Sequence, residues 1–100
     1  MTQHREQKES VDELMRLIAS LKDENQCRAF FEDLCTAQEL IQFAQRLQVA
    51  KGLLAGETYD AIRRRIPVSS VTITRVNTAL QFGTGGYRAA LSGEKSEKKD

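Results

Sequence analysis

The sequence predicts an all-α protein, and three observations predict it. Apolar residues recur at three- and four-residue intervals along most of the chain, no segment alternates apolar and polar residues as a strand would, and capping residues precede several of the periodic runs. One hundred residues are enough for a single domain with a modest core. A chain of this size buries only about 60 to 70% of its unfolded surface, so oligomerisation would help it considerably.

Val11, Leu14, Met15, Leu17, Ile18 and Leu21 fall on one side of a first helix, about residues 8–22. Cys27, Phe30, Phe31 and Leu34 repeat the pattern in a second helix, with Asp23 as its N-cap. Thr36-Ala37-Gln38-Glu39 spells a capping box, in which hydroxyl and carboxylate satisfy each other's free backbone N–H groups, and a third helix follows over about 37–55. Its apolar residues, from Leu40 and Ile41 to Leu53 and Leu54, cover more than one side. That helix needs partners around most of its girth, which a dimer would provide. Gly56 closes it as a C-cap.

A short helix from Thr58 must stop near Ile66, because Pro67 disfavours an α conformation before it. Ser69 or Ser70 caps the next helix, which carries Val71, Ile73, Val76 and Leu80 before Gly83 breaks it. Thr84-Gly85-Gly86 forms a flexible turn, and Tyr87 to Leu91 one last helical turn or two. Lys, Glu and Ser without apolar anchors make 93–100 a disordered tail, so the folded part spans about 8–92.

Composition removes several function classes. Cys27 and Cys35 lie too close, in too helical a context, for a disulfide framework, and read as reduced thiols. His4 is the single histidine, so neither a histidine-based catalytic pair nor a multi-histidine metal site can be assembled. An enzyme is not expected, and no catalytic or metal-binding residue is assigned. The apolar runs are too short to span a bilayer and no basic-then-apolar leader opens the chain, so no membrane partner and a cytoplasmic protein are expected.

The net charge of +1 conceals an asymmetry. Residues 5–35 are acidic, whereas between 58 and 92 Arg63, Arg64, Arg65, Arg75 and Arg88 stand against Asp60 alone. A basic half suggests a polyanionic partner, the alternative being an ordinary solvated face. Within that segment, two short helices joined by a tight turn have the layout of a helix-turn-helix, at about 58–82. Ile62, Ile66, Val68, Ile73 and Val76 fall where such a pair needs apolar residues to lock its crossing angle. Ser69, Ser70, Val71, Thr72, Thr74, Arg75 and Thr78 are left as DNA-binding candidates, small enough for the helix N-terminus to approach a duplex. Arg63 and Arg64, with Arg65, are steering charges for the phosphate backbone, and Arg75 a phosphate contact before a base reader. The alternative is an αα-hairpin with exposed hydroxyls. Two residues depart from the commonest motif: Arg63 stands where a small alanine usually lets the helices approach, and Pro67 replaces the usual turn glycine.

Three stretches carry a resemblance: Thr36-Ala37-Gln38-Glu39-Leu40, the run from Arg46 to Glu57, and Thr72-Ile73-Thr74-Arg75-Val76-Asn77. Together they resemble the Trp repressor superfamily, and with Phe82-Gly83-Thr84-Gly85-Gly86-Tyr87 its YerC/YecD branch. The resemblance implies an intertwined all-α homodimer with two helix-turn-helix units, a repressor that binds double-stranded DNA at a palindromic operator in the nucleoid. It also implies a possible ligand pocket at Thr36, Arg46 and Arg75, for a small-molecule effector still to be identified. The glycine and serine that complete this pocket in tryptophan-binding members are Val76 and Ala79 here. A valine fills space that an indole needs and an alanine accepts no hydrogen bond, which tells against tryptophan as corepressor; no other cofactor is expected. Arg46 could instead pair with Glu39 or Glu57, or extend to solvent. The rival to DNA binding is a helical protein-interaction module.

Overall fold

The computed structural model describes the backbone of residues 2–99 and the side chains of residues 4–93. Among the described residues six helices follow one another: α1 (Thr2–Ser20), α2 (Glu24–Leu34), α3 (Ala37–Leu54), α4 (Tyr59–Arg65), α5 (Ser70–Phe82) and α6 (Gly86–Lys99). No strand occurs among the described residues. Two compact units separate, Met1–Leu40 and Ile41–Asp100.

The caps are where the sequence places them. The Gln26 N–H donates to Asp23 Oδ1 at 2.8 Å and starts α2. The capping box of α3 closes in both directions, Glu39 N–H to Thr36 Oγ1 at 3.0 Å and Thr36 N–H to Glu39 Oε1 at 2.8 Å. Thr58 accepts from the Ala61 N–H at the head of α4. Of the two serines that could cap α5, Ser69 does so, accepting from the Thr72 N–H at 3.2 Å. Gly56 ends α3 with φ of 86°, the left-handed conformation that glycine adopts without a Cβ penalty. Gly83 caps α5 in extended backbone instead, its N–H bonded to the Ala79 carbonyl at 2.9 Å.

Both chain ends are more helical than the apolar pattern alone predicts. α1 begins at Thr2 rather than near residue 8, because Glu6, Gln7, Lys8 and Glu9 are good helix formers whose polarity hides them from a periodicity reading. The backbone of α6 continues past Leu91 to Lys99. The side chains of 94–100, where the tail is expected, lie outside the described residues.

The core lies in the second unit. Val49 and Ala50 of α3, Ile62 of α4, Ile66 of the following turn, and Ile73, Val76 and Leu80 of α5 form one buried cluster, with Leu53, Tyr59, Val68, Tyr87 and Leu91 packed against it. All five residues expected to lock the helix-turn-helix are in this cluster or against it. Arg63 is not at the helix–helix approach, as its place in the motif suggests; it is exposed, and the neighbouring Ile62 fills the contact. The approach of α4 to α3 is made at Gly52, which is buried: a Cβ there would stand 3.1 Å from Ile62 Cγ1 and 2.7 Å from Glu57 Oε1.

Pro67 explains how the turn dispenses with glycine. The Val68 N–H donates to the Ile66 carbonyl at 2.8 Å, a three-residue turn centred on the proline. An inverse γ-turn needs φ near about −75° at its centre, close to the value the pyrrolidine ring imposes. No non-glycine residue among those described has a positive φ.

Outside this cluster, large apolar side chains remain uncovered by the chain itself. Met15 and Leu17 of α1, Leu34 of α2, and Ile41, Phe43, Leu47 and Leu54 of α3 are exposed, Met15 and Leu34 by half or more. Truncating a core residue should be costly: Ile62→Ala is expected to lower stability by about 2 to 5 kcal/mol through lost burial and a residual cavity. The shift of the urea midpoint in circular dichroism measures it.

Candidate nucleic-acid interface

The candidate interface comprises the exposed face of α5 and the arginines of α4. At about 3.6 residues per turn, the buried Ile73, Val76 and Leu80 stand on one side of α5, and Val71, Thr74, Arg75 and Thr78 cluster on the opposite side. These four and Ser70 are exposed. The first turn of α5 is held by its own hydroxyls: Ser69 Oγ caps the Thr72 N–H and lies 3.3 Å from Thr72 Oγ1. Ser69 and Thr72, both DNA-contact candidates by sequence, therefore shape the helix start, while Ser70, Val71, Thr74, Arg75 and Thr78 face outward.

The three arginines of α4 separate into two roles. Arg65 donates from Nη2 to Glu57 Oε1, pairing the end of α4 with the loop before it. Both side chains are partly solvated, so the pair contributes orientation more than stability. Arg63 and Arg64 are exposed in the last turn of α4. Their charge also complements the negative end of the helix dipole.

Arg46 has neither partner that the sequence suggests. Glu57 is occupied by Arg65 and Glu39 by the Thr36 N–H. The Arg46 guanidinium lies instead over the Phe43 ring, 5.7 Å from its centroid, an attraction of cation to aromatic face. Arg46 also lines an open cleft of about 240 Å³ with Gln42, Gln45, Pro67, Val68, Ser69 and Thr72. Of the residues matched to a ligand pocket, Arg46 lines this cleft, Arg75 is exposed on α5, and Thr36 is engaged in the capping box. Gln42 and Gln45 are lining residues that sequence reasoning misses, although Gln42, three residues before Gln45 and four before Arg46, neighbours both along α3. The Glu57–Arg65 pair had no comparable signal, since its partners lie on either side of a helix start.

Val76 belongs to the buried cluster, and Ala79 is exposed. Among the described residues no group of three or more histidine, cysteine or acidic side chains could hold a metal ion, and no helix is long and apolar enough to cross a membrane. Cys27 and Cys35 are free thiols.

Residues 9–95 match the family model described as Trp repressor protein. The chain belongs to the Trp repressor family. Within it, the chain is similar to the uncharacterized protein YerC of Bacillus subtilis (strain 168), at 41% identity over 90 residues, or 90% of this chain and 86% of YerC. A crystal structure of a candidate Trp repressor from Staphylococcus aureus superposes with a TM-score of 0.82 at 40% identity, covering 86% of each chain. A TrpR-like protein from Eubacterium eligens ATCC 27750 gives 0.83 at 38% identity, over 87% of this chain and 90% of its own. The family is the one that the Thr36–Leu40, Arg46–Glu57 and Thr72–Asn77 stretches suggest, and its YerC branch the one that Arg75–Asn77 and Phe82–Tyr87 suggest.

Proposed function

We propose that this Trp repressor family member is a sequence-specific DNA-binding transcriptional regulator, a repressor that occupies a palindromic operator in the nucleoid as a homodimer. The observation that carries the reading is the outward face of α5, where Val71, Thr74, Arg75 and Thr78 stand opposite the core beside the exposed Arg63 and Arg64 of α4. Short side chains bring the helix N-terminus close to base edges, and the arginines supply the phosphate contacts that set register. Affinity for duplex DNA is expected to fall steeply with salt, and Arg64→Ala to weaken all sequences alike while shallowing the salt slope by about one unit. Fluorescence anisotropy across a salt series measures both; salt-independent retention would point to a protein partner instead.

The homodimer rests on the apolar surface that one chain leaves uncovered. Met15, Leu17, Leu34, Ile41 and Phe43 are too many large apolar side chains for a small protein to leave in water, and a second copy supplies a self-complementary cover. Sedimentation at low micromolar concentration is expected to give twice the chain mass. Leu47→Asp is expected to abolish folding, because the shared core would then hold an unpaired charge.

Operator binding proceeds without L-tryptophan in this reading. The valine at position 76 is committed to the α4–α5 core, the alanine at position 79 lacks an acceptor, and Arg46 is engaged with Phe43. Admitting an indole beside Val76 would overpack the site at about 1 to 3 kcal/mol, one to two decades of affinity. Any small-molecule effector is therefore of a different chemistry. Calorimetry is expected to give no tryptophan binding in the micromolar range and no tightening of DNA.

A further inference from the structure

Val71 is out of place by the logic of the fold. It is 75% exposed, on the side of α5 opposite Ile73, Val76 and Leu80, and it is the apolar member of a face otherwise made of Thr74, Arg75 and Thr78. Its branched Cβ costs rotamer freedom in a helix, so Val71 supports neither the core nor the helix it begins. The residues around it have other uses: Ser69 and Thr72 are tied into the cap, and Arg75 is long enough to reach phosphates.

Building on the DNA-binding reading above, we infer that Val71 is a specificity-determining residue that recognises thymine through its C5-methyl group. In the major groove the base edges present hydrogen-bond donors and acceptors and one apolar group, the methyl of thymine. A valine in the first turn of a recognition helix offers no hydrogen bond, so the base it rewards is the one with a methyl to bury. It also penalises bases whose polar edges it would leave unpaired. Thr74, one turn further along the same face, offers both a methyl and a hydroxyl and discriminates less sharply. Val71 thus supplies base choice where Arg63, Arg64 and Arg75 supply attraction to any duplex.

The test uses the full chain and duplexes selected with it from a random-sequence pool. Each thymine of a selected duplex is replaced in turn by deoxyuridine, which pairs identically and lacks only the C5-methyl, and affinities are measured by anisotropy. The wild-type protein is expected to lose about fourfold at one thymine of a recognition site, the factor that one buried methyl corresponds to. Val71→Ala is expected to bind the thymine duplex more weakly and to be indifferent to the same replacement. Because Val71 is exposed and alanine is the better helix former, this variant melts no lower than the wild type, which separates loss of contact from loss of fold. Equal wild-type affinity for thymine and deoxyuridine at every position, or undiminished sensitivity in Val71→Ala, overturns the inference while leaving DNA binding intact. Failure to retain any duplex overturns the DNA-binding reading and this one with it.

Discussion

The close approach of α4 to α3 at Gly52 is the constraint on which the functional half of the molecule depends. Ile62 is fully buried because the helix opposite it presents no side chain at that point; with a Cβ in place, Ile62 Cγ1 and the Glu57 carboxylate would both be crowded. Burying a large aliphatic side chain contributes about 1.5 to 3 kcal/mol, more than a solvated ion pair such as Glu57–Arg65 provides. The apolar contact therefore fixes the position of α4, and the ion pair above Gly52 selects its rotation. Once α4 is placed, Ile66 and Val68 follow through the proline turn, and α5 is oriented with Ile73 and Val76 in the same buried cluster as Ile62.

That orientation divides α5 into two faces with opposite demands. The inner face is uniformly aliphatic, with β-branched Ile73 and Val76 whose stiff side chains suit a small core. The outer face carries short polar residues, Val71 and Arg75, none of which contributes burial. A mutation on one face is therefore free to change recognition without touching stability, and the reverse holds for the other. Val76, at the position where the resemblance implies a pocket glycine in tryptophan-binding members, lies on this inner face.

Much of this was legible in the sequence, for a local reason. Caps are encoded within four residues, so Asp23 and the Thr36–Glu39 box could be read without knowledge of the tertiary structure, and the cap of α5 narrowed to Ser69 or Ser70. Apolar spacing likewise located the five residues that lock α4 to α5. The misreadings share a different cause. Periodicity registers apolar residues alone, so it started α1 late. The placement of Arg63 by motif position was off because Ile62 occupies the contact, and the partner of Arg46 depended on which carboxylates other groups had already claimed. Competition for Glu57 between Arg46 and Arg65 is decided by three-dimensional reach, which spacing along the chain does not express.

The distribution of charge and apolar surface completes the argument. The basic residues collect on α4 and α5, which bury Ile62, Ile73, Val76 and Leu80 and leave Val71 and Phe82 exposed, whereas no described side chain of α1 or α2 is fully buried. If the uncovered surface were a second DNA-facing feature it would carry positive charge, but residues 5–35 are net acidic. An acidic, apolar-faced half repels a polyanion and attracts other apolar surface.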